Sequence, residues 1–262
     1  MAKIRLDTLL HRRGLFASRA RAAASVMAGE VRLGNDGARA AKPGQLVAED
    51  VALAVDERPR FVSRGGIKLA NALTATGVDA SGRRCLDVGA STGGFTDCLL
   101  QRGAEHVVTL DVAYGELDWG LRTDDRVTVI ERTNARSVRA DDLPYAPDII
   151  VVDVSFISLT LVLAPVAATL RPGGATPIVA LVKPQFEVGR GGTDRGVVRD
   201  PAAHRAVLER VVAAAQEIGL GTRDVIASPI LGPEGNREFL VHLQRGPGCA
   251  EIGDRIGEVT AG

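Results

Sequence analysis

The sequence has little cysteine. Cys85, Cys98 and Cys249 are scattered over 262 residues, form no Cys-x-x-Cys pair and have no group of histidines nearby. This scarcity argues against a disulfide framework and gives no indication of a zinc site or another metal site. The chain also opens on alternating charges instead of the apolar run of a signal peptide. We therefore expect a cytoplasmic protein that uses no metal.

Long apolar runs are also scarce, with one exception between residues 149 and 170. That stretch is long enough to span a bilayer. However, it contains Asp153 and Pro165, and a carboxylate at the bilayer centre costs about 2.5–3.5 kcal/mol. A better interpretation is a strand over 149–153, a turn, and a helix that ends near Arg171. We expect no membrane segment.

The chain has no net charge, because its 32 Lys and Arg residues balance its 32 Asp and Glu residues. The distribution is uneven. Residues 1–45 carry nine basic and three acidic residues, a net charge of +6, so the remainder carries −6. Such asymmetry favours a basic module that binds nucleic acid, joined to a near-neutral or acidic one. A merely solvated basic face is the alternative explanation.

The first 55 residues predict a small α+β module. Leucines at helical spacing begin at Leu6, Gly14 stops this helix, and Ser18 is a candidate N-cap for a second helix that runs to Gly29. Short strands follow near residue 31 and over 51–55. Over residues 4–55 the pattern resembles the RNA-binding module named after ribosomal protein S-four. The candidate RNA-binding residues are Arg5, Arg12, Arg13, Arg19 and Arg21.

From about residue 62 the chain alternates between strand-like and helix-like segments, which predicts an open α/β sheet. Seven strand-like runs occur, and the central ones are apolar without alternation, as in strands covered on both faces. We therefore predict a Rossmann-like, seven-stranded, mostly parallel sheet preceded by a small α+β domain. The predicted divisions are a first domain (1–58), a linker (59–63), a large domain (64–246) and a C-terminal tail (247–262).

A glycine-rich loop follows the first strand of the large domain. Its spacing, from Gly89 to Gly94, differs from the Gly-x-Gly-x-x-Gly of dinucleotide binders. Asp87 stands just before the loop, where it suits a ligand with a cationic amine. About twenty residues on, Asp111 ends the next strand, where it can accept hydrogen bonds from ribose hydroxyls. These features together favour S-adenosylmethionine over NAD, whereas the alternative is a simple tight turn.

An ammonium group stands where a hydrophobic strand ends, at Lys183 in VALVKPQF. Ligands of such sheets bind beyond the carboxyl ends of the strands, and Asp153 ends the preceding strand. Lys68 lies on a predicted helix before the first strand. Glu238 opens the last strand, which reaches the same edge if it is antiparallel. Any one of these residues is more commonly a surface charge, but four that converge on one edge predict a site.

These four residues match the Lys-Asp-Lys-Glu tetrad of the FtsJ-like ribose 2′-O-methyltransferases. The whole chain resembles the TlyA family of rRNA cytidine 2′-O-methyltransferases, also named haemolysins, in the segments SRGGIKL, LDVGASTGGFTD, ERTNAR, DVSFISL, LVKPQFEVG and GPEGNREF. The resemblance implies an enzyme that methylates cytidine ribose in 23S rRNA, with 16S rRNA as a second candidate, within ribosomal subunits. We expect the protein to be a monomer.

The resemblance and the loop together give two sets of candidate residues. Asn134 stands where FtsJ-like proteins often have Asp, and the resemblance assigns it an adenine contact. The catalytic candidates are Lys68, Asp153, Lys183 and Glu238. The cofactor-binding candidates are Asp87, Gly89, Ser91, Gly93, Gly94, Phe95, Asp111, Asn134 and Asp153.

The chemistry of ribose methylation explains why a lysine would stand at position 183. A ribose hydroxyl is a poor nucleophile at neutral pH, so the enzyme must position it in line with the methyl group and remove its proton. A lysine can be the base when desolvation and a second cation lower its pKa, although carboxylates act in the opposite direction. We predict Lys183 as the base and Lys68 as the second cation, which also holds the ribose. Asp153 and Glu238 would orient the lysines.

Two other functions fit parts of the sequence. An RNA-binding ribosome-assembly factor with a vestigial methyltransferase domain has the basic module, but does not need both lysines. A membrane-lysing protein fits the haemolysin name, but the sequence has no strong amphipathic or spanning segment. The glycine-rich segment from Gly189 to Gly196 is either a mobile lid over the RNA or a solvent loop.

Overall fold

A computed structural model describes residues 3–56, 59–189 and 192–261. The chain divides into two compact units, with the boundary between Pro59 and Arg60. Each unit has a buried apolar core of its own.

The smaller unit contains two helices and short antiparallel strands. Ser18 caps the second helix, because its side-chain oxygen accepts a hydrogen bond from the Arg21 backbone nitrogen at 3.2 Å. Leu6, Leu10 and Ala22 are fully buried where the helices meet. Strand β1 pairs with β4, and β2 lies between β3 and β5. The elements are β1 (Lys3–Arg5), α1 (Leu6–Arg12), α2 (Arg19–Met27), β2 (Val31–Leu33), β3 (Ala38–Arg39), β4 (Leu46–Ala48) and β5 (Leu53–Val55).

The larger unit contains a seven-stranded sheet. Its elements are α3 (Gly65–Thr76), β6 (Arg84–Val88), α4 (Gly94–Gln101), β7 (His106–Leu110), α5 (Trp119–Arg122), β8 (Val127–Ile130), β9 (Ile149–Val152), α6 (Thr160–Ala168), β10 (Ile178–Val182), α7 (Pro184–Glu187), α8 (Pro201–Glu217), β11 (Leu220–Ala227), β12 (Phe239–Arg245) and α9 (Ile252–Thr260). The strand order is β11-β12-β10-β9-β6-β7-β8. Strand β12 is antiparallel to both of its neighbours, and the remaining pairs are parallel. The predicted fold class is confirmed.

The central strands are buried on both faces. Along β6, Leu86 and Val88 join the core formed with α6, α8 and α9, whereas Cys85 joins the core formed with α3 and α4. All five residues of β10 are buried in the same way. Because apolar side chains are needed on both faces, these strands have continuous apolar sequences instead of alternating ones.

The apolar stretch 149–170 folds into β9, a turn and α6, with Pro165 inside the helix. This agrees with the strand-turn-helix prediction. In the described ranges, no helix combines the length and the apolar character needed to cross a membrane.

The C-terminal segment differs from the prediction. Residues 247–262 are predicted to be a tail, but the structure contains α9 there. Ile252, Ile256 and Val259 form a stripe at helical spacing and pack into a core of the larger unit. Gly253 and Gly257 lie inside this helix, and glycine has a low helix propensity. Because the two glycines lower the helix propensity of this segment, the helical spacing of its apolar residues was not recognised in the sequence.

The predicted linker 59–63 also differs, because most of it packs on the larger unit. Phe61 is buried in the core next to α4. The Val62 backbone nitrogen donates a hydrogen bond to Asp97 Oδ2 at 2.8 Å, and Gln101 Nε2 donates one to the Arg60 carbonyl at 2.8 Å. An apolar anchor and two hydrogen bonds thus fix this segment.

Candidate active site

Two adjoining cavities open at the carboxyl ends of the parallel strands, where open α/β sheets bind ligands. The first cavity has a volume of about 590 Å³ and is lined by all four tetrad residues. The second has about 780 Å³ and is lined by Asp111 and Asn134. The two cavities share Gly89, Ser91, Asp153, Ser155, Phe156 and Phe186.

The glycine-rich loop between β6 and α4 packs tightly at this edge. Gly89 has a φ of +84°, and a Cβ there would lie 2.5 Å from the Asp153 carbonyl oxygen. A Cβ on Gly94 would lie 2.1 Å from Ser63 Oγ. Both glycines line the first cavity. The loop therefore needs glycine here, and its bare backbone leaves a cradle for a ligand.

Most predicted cofactor-binding residues line the cavities, but two do not. Gly93 has a φ of +95° at the N-cap of α4, and the space at its Cβ position is filled by Leu117 and Leu121. Asp87 is fully buried and also lines neither cavity. The residues that line one or both are Gly89, Ser91, Gly94, Phe95, Asp111, Asn134 and Asp153.

Asp87 is an incompletely paired carboxyl group next to the loop. Its Oδ2 accepts a hydrogen bond from Thr96 Oγ1 at 2.6 Å, whereas Oδ1 has no partner among the described residues. Burial raises the pKa of Asp87 to about 7; the Thr96 hydrogen bond acts in the opposite direction, and the charge of Asp153 raises the pKa further. Its predicted role toward a cationic ligand stays a prediction, because Asp87 lines neither cavity.

Asp111 connects the loop to the second cavity. Its Oδ2 accepts a hydrogen bond from the Ser91 backbone nitrogen at 2.7 Å, and its Oδ1 accepts one from Ala113 at 2.8 Å. Each oxygen keeps a lone pair for a ligand hydroxyl. Asn134 Oδ1 accepts a hydrogen bond from the Arg136 backbone nitrogen at 3.0 Å. The side-chain NH₂ of Asn134 makes no hydrogen bond within the described ranges, so it can donate to a ligand.

The tetrad forms two ion pairs at the first cavity. Lys68, on α3, pairs with Glu238, and both side chains are buried. Lys183 Nζ lies 2.6 Å from Asp153 Oδ1 and donates a hydrogen bond to Ser155 Oγ at 2.7 Å. The contact between Lys183 and Asp153 has the distance of an ion pair but not the angles of a hydrogen bond. Because β12 is antiparallel, Glu238 reaches the same edge as the other three residues.

An aromatic pair at the junction of the cavities was not predicted. The side chain of Phe156 is 90% exposed, and its φ of +63° is rare for a residue with a Cβ. Its ring lies 5.1 Å from that of Phe186, at an angle of 47°. An outlying backbone conformation beside a cavity is a reason to test this phenylalanine for a function. Its position three residues after Asp153 is the sequence signal that could have found it.

Glu187 is a second residue that the sequence analysis missed. It is buried, and its Oε1 accepts a hydrogen bond from the Leu159 backbone nitrogen at 2.6 Å. Its Oε2 accepts one from Ser158 Oγ at 2.7 Å. These bonds join the segment that follows Lys183 to the turn that follows Asp153. Glu187 therefore holds together the two segments that carry one ion pair.

The predicted RNA-binding arginines lie in the smaller unit, and all five are exposed. Arg5 and Arg19 lie 2.6 and 3.7 Å from the buried carboxylate of Asp7. The hydrogen bond from Arg5 is the main cause that lowers the pKa of Asp7 to about 2. Arg12 forms an exposed ion pair with Glu49 at 3.0 Å. An RNA-binding role for these arginines stays a prediction.

Residues 61–245 match the family model of the FtsJ-like methyltransferases. The chain belongs to this family. It is 48% identical over 246 residues, 92% of this chain and 90% of the relative, to the 16S/23S rRNA (cytidine-2′-O)-methyltransferase TlyA of Mycobacterium tuberculosis strain H37Rv. It is 44% identical over 259 residues, 98% of this chain and 90% of the relative, to YqxC of Bacillus subtilis, a suspected rRNA methyltransferase.

A solved structure of a suspected hemolysin from Streptococcus thermophilus has a TM-score of 0.73 and 41% identity, and covers 99% of this chain and 96% of its own. The relatives confirm the predicted enzyme class, an FtsJ-like methyltransferase of the TlyA group. The cofactor of this class is S-adenosylmethionine, as predicted. The glycine cradle, the lone pairs of Asp111 and the free amide of Asn134 fit this cofactor.

Proposed function

We propose that this protein transfers a methyl group from S-adenosylmethionine to the ribose 2′-oxygen of cytidine in ribosomal RNA. The observation that carries the proposal is a set of two ion pairs in the first cavity, next to the glycine-rich loop. Lys68 pairs with Glu238, and Lys183 pairs with Asp153. The relative from Mycobacterium tuberculosis is named for this reaction on 16S and 23S rRNA. We assign 23S rRNA as the first candidate substrate and 16S rRNA as the second.

The second cavity is assigned to the nucleoside part of the cofactor. Asp111 would accept hydrogen bonds from the ribose hydroxyls, and the Asn134 amide would donate to the base. The backbone of the loop from Gly89 to Gly94 would hold the remainder of the ligand. When bound, S-adenosylmethionine supplies a methyl group that is already activated on a sulfonium. The protein therefore has to supply orientation and a proton acceptor.

The first cavity is assigned to the target ribose. Lys183, as its neutral amine, would take the proton of the 2′-hydroxyl while the oxygen forms its bond to the methyl carbon and the bond between that carbon and the sulfonium sulfur breaks, which leaves the cofactor as a neutral thioether. Because Lys183 is paired with Asp153 in the structure, it has to release its own proton before this step, and Asp153 would then stabilise the ammonium group that results. Lys68 is held by Glu238, so its remaining N–H groups have a fixed direction and can bind a ribose oxygen. Glu187 keeps the Lys183 and Asp153 segments in register.

The RNA is held by two further sets of groups. Phe156 and Phe186 offer an aromatic surface on which an unstacked base can lie. We assign the smaller unit, as an S-four-type RNA-binding domain, to the phosphate backbone through its arginines. The partner would be a ribosomal subunit in the cytoplasm, and the protein would act as a monomer.

The experiment that tests the proposal measures transfer of labelled methyl groups to purified small and large ribosomal subunits. The labelled RNA is digested to nucleosides, and the site of methylation is identified by mass. We expect 2′-O-methylcytidine from the unchanged protein and a loss of at least a hundredfold with Lys183→Ala, while the variant still binds S-adenosylmethionine. Methyl transfer that persists in Lys183→Ala would show that another group takes the proton. Cofactor binding without transfer to either subunit would favour another RNA substrate or the assembly-factor function.

A further inference from the structure

Glu234 is a charged residue of the first cavity that has no partner in the described part of the chain. The other charged residues that line this cavity are engaged. Arg64 Nη2 donates a hydrogen bond to the Leu231 carbonyl at 2.7 Å, and the four tetrad residues form the two ion pairs. The structure thus leaves one carboxylate in the cavity open to a ligand.

Hydrogen bonds hold the backbone around Glu234. It lies in a tight turn in which the Gly232 backbone nitrogen donates to the Asn236 carbonyl at 2.8 Å. Asn236 is fully buried; its Oδ1 accepts from the Val198 backbone nitrogen at 2.9 Å, and its Nδ2 donates to the Gly196 carbonyl at 2.9 Å. A Cβ on Gly196 would lie 3.3 Å from Glu234 Oε2. The backbone that carries Glu234 is therefore braced, whereas its side chain is exposed and makes no hydrogen bond in the described part of the chain.

The chemistry of a carboxylate restricts what it can recognise. An ionised carboxylate only accepts hydrogen bonds, and it repels phosphate groups. The base of cytidine carries an exocyclic amine that donates hydrogen bonds, whereas uracil carries a carbonyl oxygen at the equivalent position. Glutamate and aspartate are the residues that accept a hydrogen bond from this amine of cytosine in base recognition.

We propose that Glu234 accepts a hydrogen bond from the exocyclic amine of the target cytosine and so makes the enzyme reject uridine. This inference rests on the proposed function, because it takes the target nucleoside to be cytidine. A uracil at the same place would put its carbonyl oxygen against the carboxylate, and both groups would lack a donor. Glu234 is thus a specificity-determining residue for the base, whereas the tetrad acts on the ribose.

The test uses ribosomal subunits that carry either cytidine or uridine at the mapped target position. The kcat/KM ratio for cytidine over uridine is measured for the unchanged protein, Glu234→Gln and Glu234→Ala. The matched control is Glu217→Gln, which removes an exposed carboxylate from α8, away from the cavity. We expect the ratio to fall about tenfold or more in Glu234→Gln, because its amide can donate to uracil as well as accept from cytosine. In Glu234→Ala, transfer to cytidine should fall without a gain for uridine.

Binding of S-adenosylmethionine, measured separately, should be the same in all four proteins. An unchanged ratio in Glu234→Gln would overturn the inference and leave the proposed function intact. Weaker cofactor binding in Glu234→Gln with an unchanged ratio would also overturn it, because the carboxylate would then serve the amine of the cofactor. If the unchanged protein methylates no cytidine ribose, the proposed function itself fails.

Discussion

Lys68 and Glu238 lie 170 positions apart in the chain and form an ion pair that is almost completely buried. Helix α3 brings the lysine to the sheet edge, and the reversed direction of β12 brings the glutamate. Removing two charges from water is costly, so such a pair contributes little to stability in comparison with apolar residues of similar size. Its position at the cavity suggests that it is retained to place an ammonium group.

The first prediction separates the structural and the functional role of this pair. Lys68→Met or Glu238→Leu alone should reduce the free energy of unfolding by about 3–5 kcal/mol, because each leaves one buried charge without its partner. The double variant should recover most of that loss but show no methyl transfer. Urea unfolding and transfer to ribosomal subunits measure the two effects.

The matched control for that cycle is the exposed ion pair between Arg205 and Glu209 on α8. Removing either of its partners should change the free energy of unfolding by no more than about 1 kcal/mol. Full methyl transfer by the double variant of Lys68 and Glu238 would show that the pair has a structural role alone.

The sequence was sufficient to place Asp153 and Lys183 at one edge, because strands of an open sheet end on the side where ligands bind. Glu238 was expected there only if its strand is antiparallel, which the structure shows. The sequence did not reveal which lysine pairs with which carboxylate. That pairing depends on the insertion of β12 between β10 and β11, a long-range choice that local patterns do not record. The same limit explains Glu187, whose partners lie 28 and 29 positions away.

Local signals explain most of the remaining successes and failures. Ser18 was predicted as an N-cap because its partner is three residues away. Strands β1 and β4 were missed, since each has three residues and gains its hydrogen bonds from a strand about forty positions away. Helix α8 was not assigned, although Asp200 followed by Pro201 is a helix start.

The second prediction concerns the glycine cradle. Gly89→Ala should abolish cofactor binding, because the new Cβ would lie 2.5 Å from the Asp153 carbonyl oxygen. Gly77→Ala is the control: its φ of +68° is also positive, but nothing lies within 4 Å of the new Cβ. It should lose about 1–2 kcal/mol of stability from backbone strain alone and bind the cofactor normally. Calorimetric titration with S-adenosylmethionine distinguishes the two variants. Equal affinities would contradict the claim that the loop at Gly89 holds the cofactor.

The third prediction follows from the raised pKa of Asp87, about 7 in the folded protein. Between pH 4 and pH 7 the folded protein holds a proton that the unfolded chain has released, so stability falls as the pH rises through this range. The loss is up to about 4 kcal/mol. Asp87→Asn stays neutral and should therefore be more stable than the unchanged, cofactor-free protein at pH 8, and similar to it at pH 4.

Urea unfolding at pH 4, 6 and 8 measures this difference. Asp125→Asn is the control, since Asp125 is exposed and its substitution should give the same difference in stability at pH 6 and pH 8. If the difference between the unchanged protein and Asp87→Asn does not change with pH, Asp87 is ionised in the fold.

The fourth prediction tests the aromatic surface. Phe156→Ala should leave the unfolding midpoint almost unchanged, because the side chain is 90% exposed. It should reduce methyl transfer to RNA about 5- to 150-fold, since stacking on an aromatic ring contributes about 1–3 kcal/mol per base. Phe156→Trp should keep most of the activity. Trp119→Ala, which removes an aromatic ring that is 74% exposed and outside both cavities, is the control. Equal losses in Phe156→Ala and Trp119→Ala would argue against a specific stacking role.

The fifth prediction assigns a phosphate contact to Arg21. Its guanidinium group is exposed and makes no hydrogen bond or ion pair within the described ranges, whereas Arg5 and Arg12 already pair with carboxylates. Arg21→Gln should therefore weaken binding to ribosomal subunits and reduce the slope of log K against log salt by about 0.9, the value for one phosphate contact on duplex nucleic acid. Arg205→Gln removes an exposed arginine from α8 and should leave the slope unchanged. Binding measured at several salt concentrations distinguishes a phosphate contact from a basic face that is merely solvated. A solvated face would give the same slope for Arg21→Gln and Arg205→Gln.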